Sequence, residues 1–228
     1  MKRITVLLAE DHKIVREGLR VLLEAERDIE VVGEAETGRQ AVLLTKRLRP
    51  SVVVMDIAMP LLNGLEATRR ILKAVPATRV LILSAHGDDG YIRQVVMLGA
   101  AGYLIKQTSA DLLSRAIREV HKGNTFFSPS IANRVHSLSL KAPGGCVEAK
   151  KRKTAKTALS SRELEVLQLI AEGKANKQIA RGLGISIKTV EKHRQHLMGK
   201  LDLHDTAGLT RYAISAGIIE SRVQVTII

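Results

Sequence analysis

The sequence predicts two structural units of different class: a five-stranded parallel α/β sheet, strand order 2-1-3-4-5, and after it a separate all-helical unit. Three observations predict this. Short apolar runs alternate with helix-length amphipathic stretches through the first half, the pattern of a parallel sheet. Val52-Val53-Val54-Met55 is apolar without alternation, as a central strand covered on both faces must be. From about Ser128 the periodicity fades through Pro129 and the Ala142-Pro143-Gly144-Gly145 break, then returns at Leu159 as short helices only.

In order, strands are expected at Ile4–Ala9, Ile29–Ala35, Val52–Asp56, Val80–Ser84 and Gly102–Ile105, with helices near 14–26, 38–48, 64–74, 89–98 and 109–122. In the first helix Val15, Leu19 and Leu22 recur at i, i+4 and i+7 as one buried stripe. Gly38, Gly64 and Gly102 read as turn glycines. The division that follows is residues 1–127, a linker at 128–158, and the helical unit at 159–228.

Charge sharpens that division. The net charge is +13, with 19 basic and 15 acidic residues in 1–127, 7 and 1 in 128–158, and 10 and 7 in 159–228. The densest positive charge is thus the middle run, Lys150-Lys151-Arg152-Lys153 and Lys156, which reads as a solvated linker and, near DNA, a source of salt-dependent affinity. No apolar run is long enough to cross a bilayer, the N-terminus lacks a signal-peptide pattern, and the single Cys146 has no internal disulfide partner. A cytoplasmic protein without a membrane partner is expected.

The strand ends carry the chemistry. In an open α/β sheet ligands bind at the carboxyl ends of strands where strand order reverses. In the flavodoxin-like order 2-1-3-4-5 that point lies between the first and third strands, so Glu10, Asp11 and Asp56 would meet there. Crowded carboxylates need compensation, which a hard divalent cation, Mg²⁺ above all, and the ammonium of Lys106 would supply. Such a pocket suits transfer of a phosphoryl group onto Asp56, with Ser84 donating a hydrogen bond to the product.

Glu10-Asp11, Met55-Asp56, Met59-Pro60-x-x-x-Gly64, Ser84-Ala85 and Gly102-Tyr103-Leu104-Ile105-Lys106, in order over about residues 1–122, resemble the receiver domain of response regulators. The resemblance implies Asp56 as phosphoacceptor for a sensor histidine kinase. It implies Glu10 and Asp11 as metal ligands alongside Asp56 and the Ala58 backbone carbonyl, and Ser84 with Tyr103 as a switch pair in which Tyr103 turns inward. Gln107 stands where many receivers have a proline, so the cis peptide common there is not expected. Ala58 and His86, each two residues beyond a pocket residue, are placed to influence the attacking water.

The second unit begins with a complete helix-start signature in Leu159-Ser160-Ser161-Arg162-Glu163-Leu164: Ser160 as N-cap, Glu163 as its reciprocal partner, Leu159 and Leu164 as the staple. That helix runs to about Glu172 and stops at Gly173. Asn176 is expected to cap a second helix burying Ile179, Ala180 and Leu183. Gly184-Ile185-Ser186 makes a tight turn into a third, Ile187–Leu201, and the pair reads as a DNA-binding helix-turn-helix. Val190, Leu197 and Leu201 face inward, leaving Glu191, Lys192 and Gln195 for base edges and Lys188, Thr189, His193 and Arg194 for phosphates.

Leu159-Ser160-x-Arg162-Glu163-x-Glu165-Val166-Leu167, Ala171-Glu172-Gly173, Lys177-Gln178-Ile179-Ala180, Thr189-Val190-Glu191-Lys192-His193 and Lys200-Leu201 resemble the LuxR-type output domain, and the whole chain resembles the NarL/FixJ class of regulators. The resemblance implies a phosphorylation-gated transcription factor on double-stranded DNA, a homodimer when active. It assigns dimer contact to a last helix near Thr206–Ala216, with Leu209, Tyr212 and Ala213 as candidates that packing explains equally well. His204-Asp205 departs from the family, which usually carries a basic residue there, and Val223–Ile228 extends past its usual end.

Two other classes fit less well. A haloacid-dehalogenase-type phosphatase usually needs a second acid where Ala58 stands, so turnover beyond phosphorylation and dephosphorylation of Asp56 is not expected. An RNA-binding output lacks stacking platforms, since aromatic residues make up 2% of the chain. A receiver that regulates by dimerisation alone has no need of the acidic trio.

Overall fold

The computed structural model describes residues 3–85, 87, 89–128, 131–135 and 159–219. His86, Cys146, the Lys150–Lys153 run, Lys156 and the Val223–Ile228 ending lie outside the described residues. The chain divides into two compact units, Met1–Pro143 and Gly144–Ile228.

In the first unit the strands are β1 Ile4–Ala9, β2 Ile29–Ala35, β3 Val52–Met55, β4 Arg79–Ser84, β5 Gly102–Ile105 and β6 Phe126–Phe127. All pair in parallel, in the order β2-β1-β3-β4-β5-β6. The helices between them are α1 Lys13–Glu24, α2 Gly38–Leu48, α3 Gly64–Ala74, α4 Asp89–Leu98 and α5 Ala110–His121. Each face of the sheet has its own core, and β3 feeds both, Val53 and Met55 into one and Val52 and Val54 into the other.

The sheet has six strands rather than the five expected. Phe126 N–H donates to the Ala101 carbonyl at 2.9 Å and Ser128 N–H to that of Tyr103 at 3.1 Å, extending the sheet beyond β5. Two residues are too few to leave a periodic signal. Residues 131–135 are helical, and Ile131 is fully buried in the same core as Tyr103. Arg134 pairs with Asp89 at 2.6 Å and donates to the Gly87 carbonyl.

The stripe expected in α1 is only partly kept. Leu19 packs on the core, but Arg16 and Leu23 are the buried positions, whereas Val15 and Leu22 are 36% and 45% exposed. The three glycines are not turn residues either. A Cβ on Gly38 would lie 2.1 Å from the Leu62 carbonyl oxygen, on Gly64 1.8 Å from that of Asp56, and on Gly102 2.3 Å from that of Phe126. Their missing side chains permit close backbone approach. Among the described residues no peptide bond is cis, and no helix is long and apolar enough to cross a membrane.

In the second unit the helices are α6 Ser161–Ala171, α7 Asn176–Leu183, α8 Ile187–Leu201 and α9 Thr206–Ser215. Val166, Leu167, Ile179, Val190, Leu197, Leu209 and Ala213 are among its buried apolar side chains. Gly173 and Gly184 sit at φ 77° and 64°, left-handed helix ends that glycine adopts at least cost.

Candidate functional site

The acidic residues reach one place because parallel strands deliver their carboxyl ends to one edge of the sheet. The β1–β3 register pairs Ala9 with Met55, so Glu10 and Asp56 emerge side by side. Asp56 N–H donates to the Ala9 carbonyl at 2.8 Å, and Glu10 N–H to that of Ala35 at 2.9 Å. Both side chains are buried, at 3% and 2% exposure. Burying two carboxylates together is costly without a counter-charge.

Lys106 is that counter-charge. It follows β5, and its Nζ lies 2.9 Å from Asp56 Oδ2 and 2.8 Å from Glu10 Oε2. Burial pulls its ammonium down, but the charges of Asp56 and Glu10 and their hydrogen bonds outweigh that and hold it above the ordinary lysine range. The other oxygen of Asp56, Oδ1, accepts from Ile57 N–H at 2.7 Å.

Ligand atoms of Glu10, Asp11, His12 and Asp56 all lie within 4.8 Å of one another. Three carboxylates among four donors suit a hard divalent cation that prefers oxygen. His12 joins them from the start of α1, its Nδ1 3.1 Å from Glu10 Oε1 and 3.0 Å from Asp11 Oδ1. Ala58 is half-buried in the turn after Asp56.

Ser84 ends β4, fully buried, and its carbonyl accepts from Lys106 N–H at 2.8 Å. Tyr103 is fully buried on the neighbouring strand, opposite Ile82 in register. Its ring is thus already inward, whereas sequence reasoning has it turn inward on phosphorylation.

Two pocket neighbours escaped sequence reasoning. His12 was legible as a polar residue next to the acid pair. Arg16 gave no signal, because a charged residue is not sought on the buried stripe of a helix.

The second unit exposes a different chemistry. Ser160 caps α6 through a reciprocal pair, Glu163 N–H donating to Ser160 Oγ at 3.3 Å and Ser160 N–H to Glu163 Oε2 at 2.8 Å. Lys200 of α8 reaches the same carboxylate at 2.7 Å. Burial pushes the Glu163 carboxyl up, but Lys200 and the Ser160 donors prevail and hold it below the usual range. Ser186 caps α8 by accepting from Thr189 N–H at 3.1 Å.

On α8, Lys188, Glu191, Lys192 and Gln195 are exposed. Thr189, His193 and Arg194 are half-buried. Thr189 Oγ1 is 2.8 Å from Ser186 Oγ, and Arg194 donates to Asn176 Oδ1 at 3.3 Å and to Thr206 Oγ1 at 3.0 Å. Asn176 therefore does not cap α7. It is the first helical residue, and Gln178 Oε1 accepts from Ala175 N–H at 2.9 Å instead. Asp205 caps α9, its Oδ1 accepting from Gly208 N–H at 2.6 Å, which gives the departure at that position a local purpose. Leu209 and Ala213 are fully buried within this unit, where α9 packs chiefly on α6, and Tyr212 is half-buried.

Known proteins agree with this arrangement. Residues 6–118 match the response regulator receiver domain, and residues 157–213 the luxR family of bacterial regulatory proteins. The transcriptional regulatory protein LiaR of Bacillus subtilis is 39% identical over 210 residues, covering 92% of this chain and 96% of LiaR. The oxygen regulatory protein NreC of Staphylococcus carnosus is 36% identical over 216 residues, covering 94% and 99%. A solved structure of the Salmonella typhimurium response regulator RcsB aligns with a TM-score of 0.61 at 27% identity, covering 95% of this chain and 99% of that one. The chain therefore belongs to the response regulators of two-component systems, in the NarL/FixJ class, with a receiver domain followed by a LuxR-type helix-turn-helix that makes it a transcription regulator.

Proposed function

We propose that Asp56 takes a phosphoryl group from the phosphohistidine of a sensor kinase and that this modification changes how the protein binds promoter DNA. The observation that carries the reading is the meeting of Glu10, Asp11, Asp56 and Lys106 at one sheet edge. In the step, an Asp56 carboxylate oxygen forms a P–O bond while the donor's P–N bond breaks, leaving an acyl phosphate on the protein and a free imidazole on the donor. Lys106 already bonds Asp56 Oδ2, so its ammonium is positioned to follow the charge onto the phosphoryl oxygens. Ser84, at the end of the adjacent strand, donates its hydroxyl to the product.

Glu10, Asp11 and Asp56, with the Ala58 carbonyl, are the residues that would hold Mg²⁺. When bound, it would supply a second positive charge, beside that of Lys106, to the phosphoryl oxygens. Ser84 and Tyr103 form the switch pair. Their placement supports this: both are fully buried on the neighbouring strands β4 and β5, Tyr103 pairing in register with Ile82, two residues before Ser84. Phosphorylation adds charge of about −1.5 to −2 at the pocket and biases the inward arrangement.

For DNA, Glu191, Lys192 and Gln195 are assigned to base edges and Lys188, Thr189, His193 and Arg194 to phosphates. Exposure of the first three and of Lys188 supports the division. Arg194 is held by Asn176 and Thr206, which pre-sets its guanidinium. The family relative RcsB is described in terms of DNA interaction. We assign the active state to a homodimer. Residues 1–127 act as the receiver, 128–158 as linker and 159–228 as the reader.

The experiment is labelling by acetyl phosphate with Mg²⁺, read by intact-protein mass. The parent chain gains one phosphoryl group and Asp56→Asn gains none; equal labelling of the two would overturn the assignment.

A further inference from the structure

Arg16 is a charged residue on the buried stripe of α1, with 7% of its side chain exposed. Its guanidinium joins three segments. Nη1 donates to the Glu10 carbonyl at 2.8 Å, Nε to Glu34 Oε2 at 3.0 Å, and Nη2 to Glu36 Oε1 at 2.6 Å. The Glu10 carbonyl belongs to the peptide that links Glu10 to Asp11. That peptide is planar, so holding its oxygen restrains together the backbone torsions of Glu10 and Asp11 that flank it, and with them where the two acid side chains leave the chain. Glu10 N–H is tied separately to the Ala35 carbonyl at 2.9 Å, which fixes the turn at a second point.

We infer that Arg16 is a positioning residue for the phosphoacceptor pocket, aligning Glu10 and Asp11 so that their carboxylates converge with Asp56 on a divalent cation. The inference rests on the phosphoacceptor reading above. Electrostatics alone argues against putting a guanidinium here, since a fixed positive charge near the pocket opposes cation binding. Tying α1 to β2 is also served at the surface, where Arg20 reaches Glu34 at 3.2 Å. What Arg16 adds is the bond to the Glu10 carbonyl at the acid pair itself. Its planar fork presents three separate nitrogens to the carbonyl and the two carboxylates in one fixed geometry, which the single nitrogen of a lysine does not reproduce.

The two effects predict opposite signs, which makes the test sharp. Mn²⁺ affinity of the full chain is measured from the electron paramagnetic resonance of free Mn²⁺, well below the thermal transition of each variant. Arg16→Gln is expected to weaken Mn²⁺ binding by about tenfold or more, the usual scale for residues that orient metal ligands, although removal of a positive charge would by itself tighten it. Arg16→Lys, which keeps the charge and loses the fork, is expected to fall between. The Glu34→Gln/Glu36→Gln double variant loosens the α1–β2 ion pairs, so it should lower the unfolding midpoint while leaving Mn²⁺ affinity within about threefold, because its amide oxygens still accept from Arg16.

Unchanged or tighter Mn²⁺ binding in Arg16→Gln overturns the inference and leaves the phosphoacceptor reading intact. If that variant does not fold, unchanged binding in Arg16→Lys does the same. A parent chain that binds no Mn²⁺ overturns both.

Discussion

Lys106 Nζ lies 2.9 Å from Asp56 Oδ2, a contact between residues 50 apart in sequence. The same ammonium touches Glu10 Oε2 at 2.8 Å, so one lysine compensates two buried carboxylates. Parallel strand order brings this about: β1 and β3 are neighbours, and Lys106 leaves β5 at the same sheet edge.

Replacing Lys106 tests its part in the chemistry. Lys106→Gln is expected to slow labelling by acetyl phosphate by about 10²–10³, the scale of losing one fixed donor to a developing anion. It should also tighten Mn²⁺ binding, since a competing positive charge is gone. Labelling rates from phosphoprotein mass over time, with Mn²⁺ titration alongside, check both.

Gly64 tests how tightly the pocket backbone is built. A Cβ there would lie 1.8 Å from the Asp56 carbonyl oxygen, so Gly64→Ala must displace the β3–α3 turn. We expect a loss of about 1–3 kcal/mol or more, as for overpacked sites, and slower phosphorylation. Urea unfolding monitored by resonances of the sheet measures the first.

Much of the fold was legible because it follows from periodicity. The apolar run at Val52–Met55 marked a central strand, and strand order then placed Asp56 beside Glu10. Capping was legible at Ser160, where both partners are local, and not at Asn176, because Gln178 caps that helix from within. The partly kept stripe in α1 has a similar cause. Val15 and Leu22 satisfy the spacing as well as Arg16 and Leu23 do, and only contact with β2 chooses between them. Gly38, Gly64 and Gly102 were misread because their purpose is a distant carbonyl, which no local pattern reveals.

Glu163 gives the second unit a pH dependence. Its folded pKa lies below the unfolded value of about 4.3, so its stabilisation is fully present above that value and is lost as pH falls through the folded one. Glu163→Gln keeps the reciprocal cap but removes this part of the acid response, and losing the charge paired with Lys200 lowers stability at neutral pH by about 1–2 kcal/mol. Amide exchange of residues 161–171, followed in the parent chain and the variant as pH is lowered from neutral, reads both effects.

The reading helix separates into two kinds of contact. Gln195→Ala is expected to cost about 1–3 kcal/mol on the preferred site and to relax specificity at one base position. Lys188→Ala is expected to weaken binding to all sequences alike and to reduce the salt slope by about one. Fluorescence anisotropy against operator and scrambled duplexes over a salt series distinguishes them.

Binding of the intact chain to promoter DNA with and without a phosphodonor is the most direct measurement, with Asp56→Asn run in parallel. The account predicts a donor-dependent change in affinity in the parent chain and none in the variant. The same change in both, or no change in a parent chain shown to be phosphorylated, would contradict it.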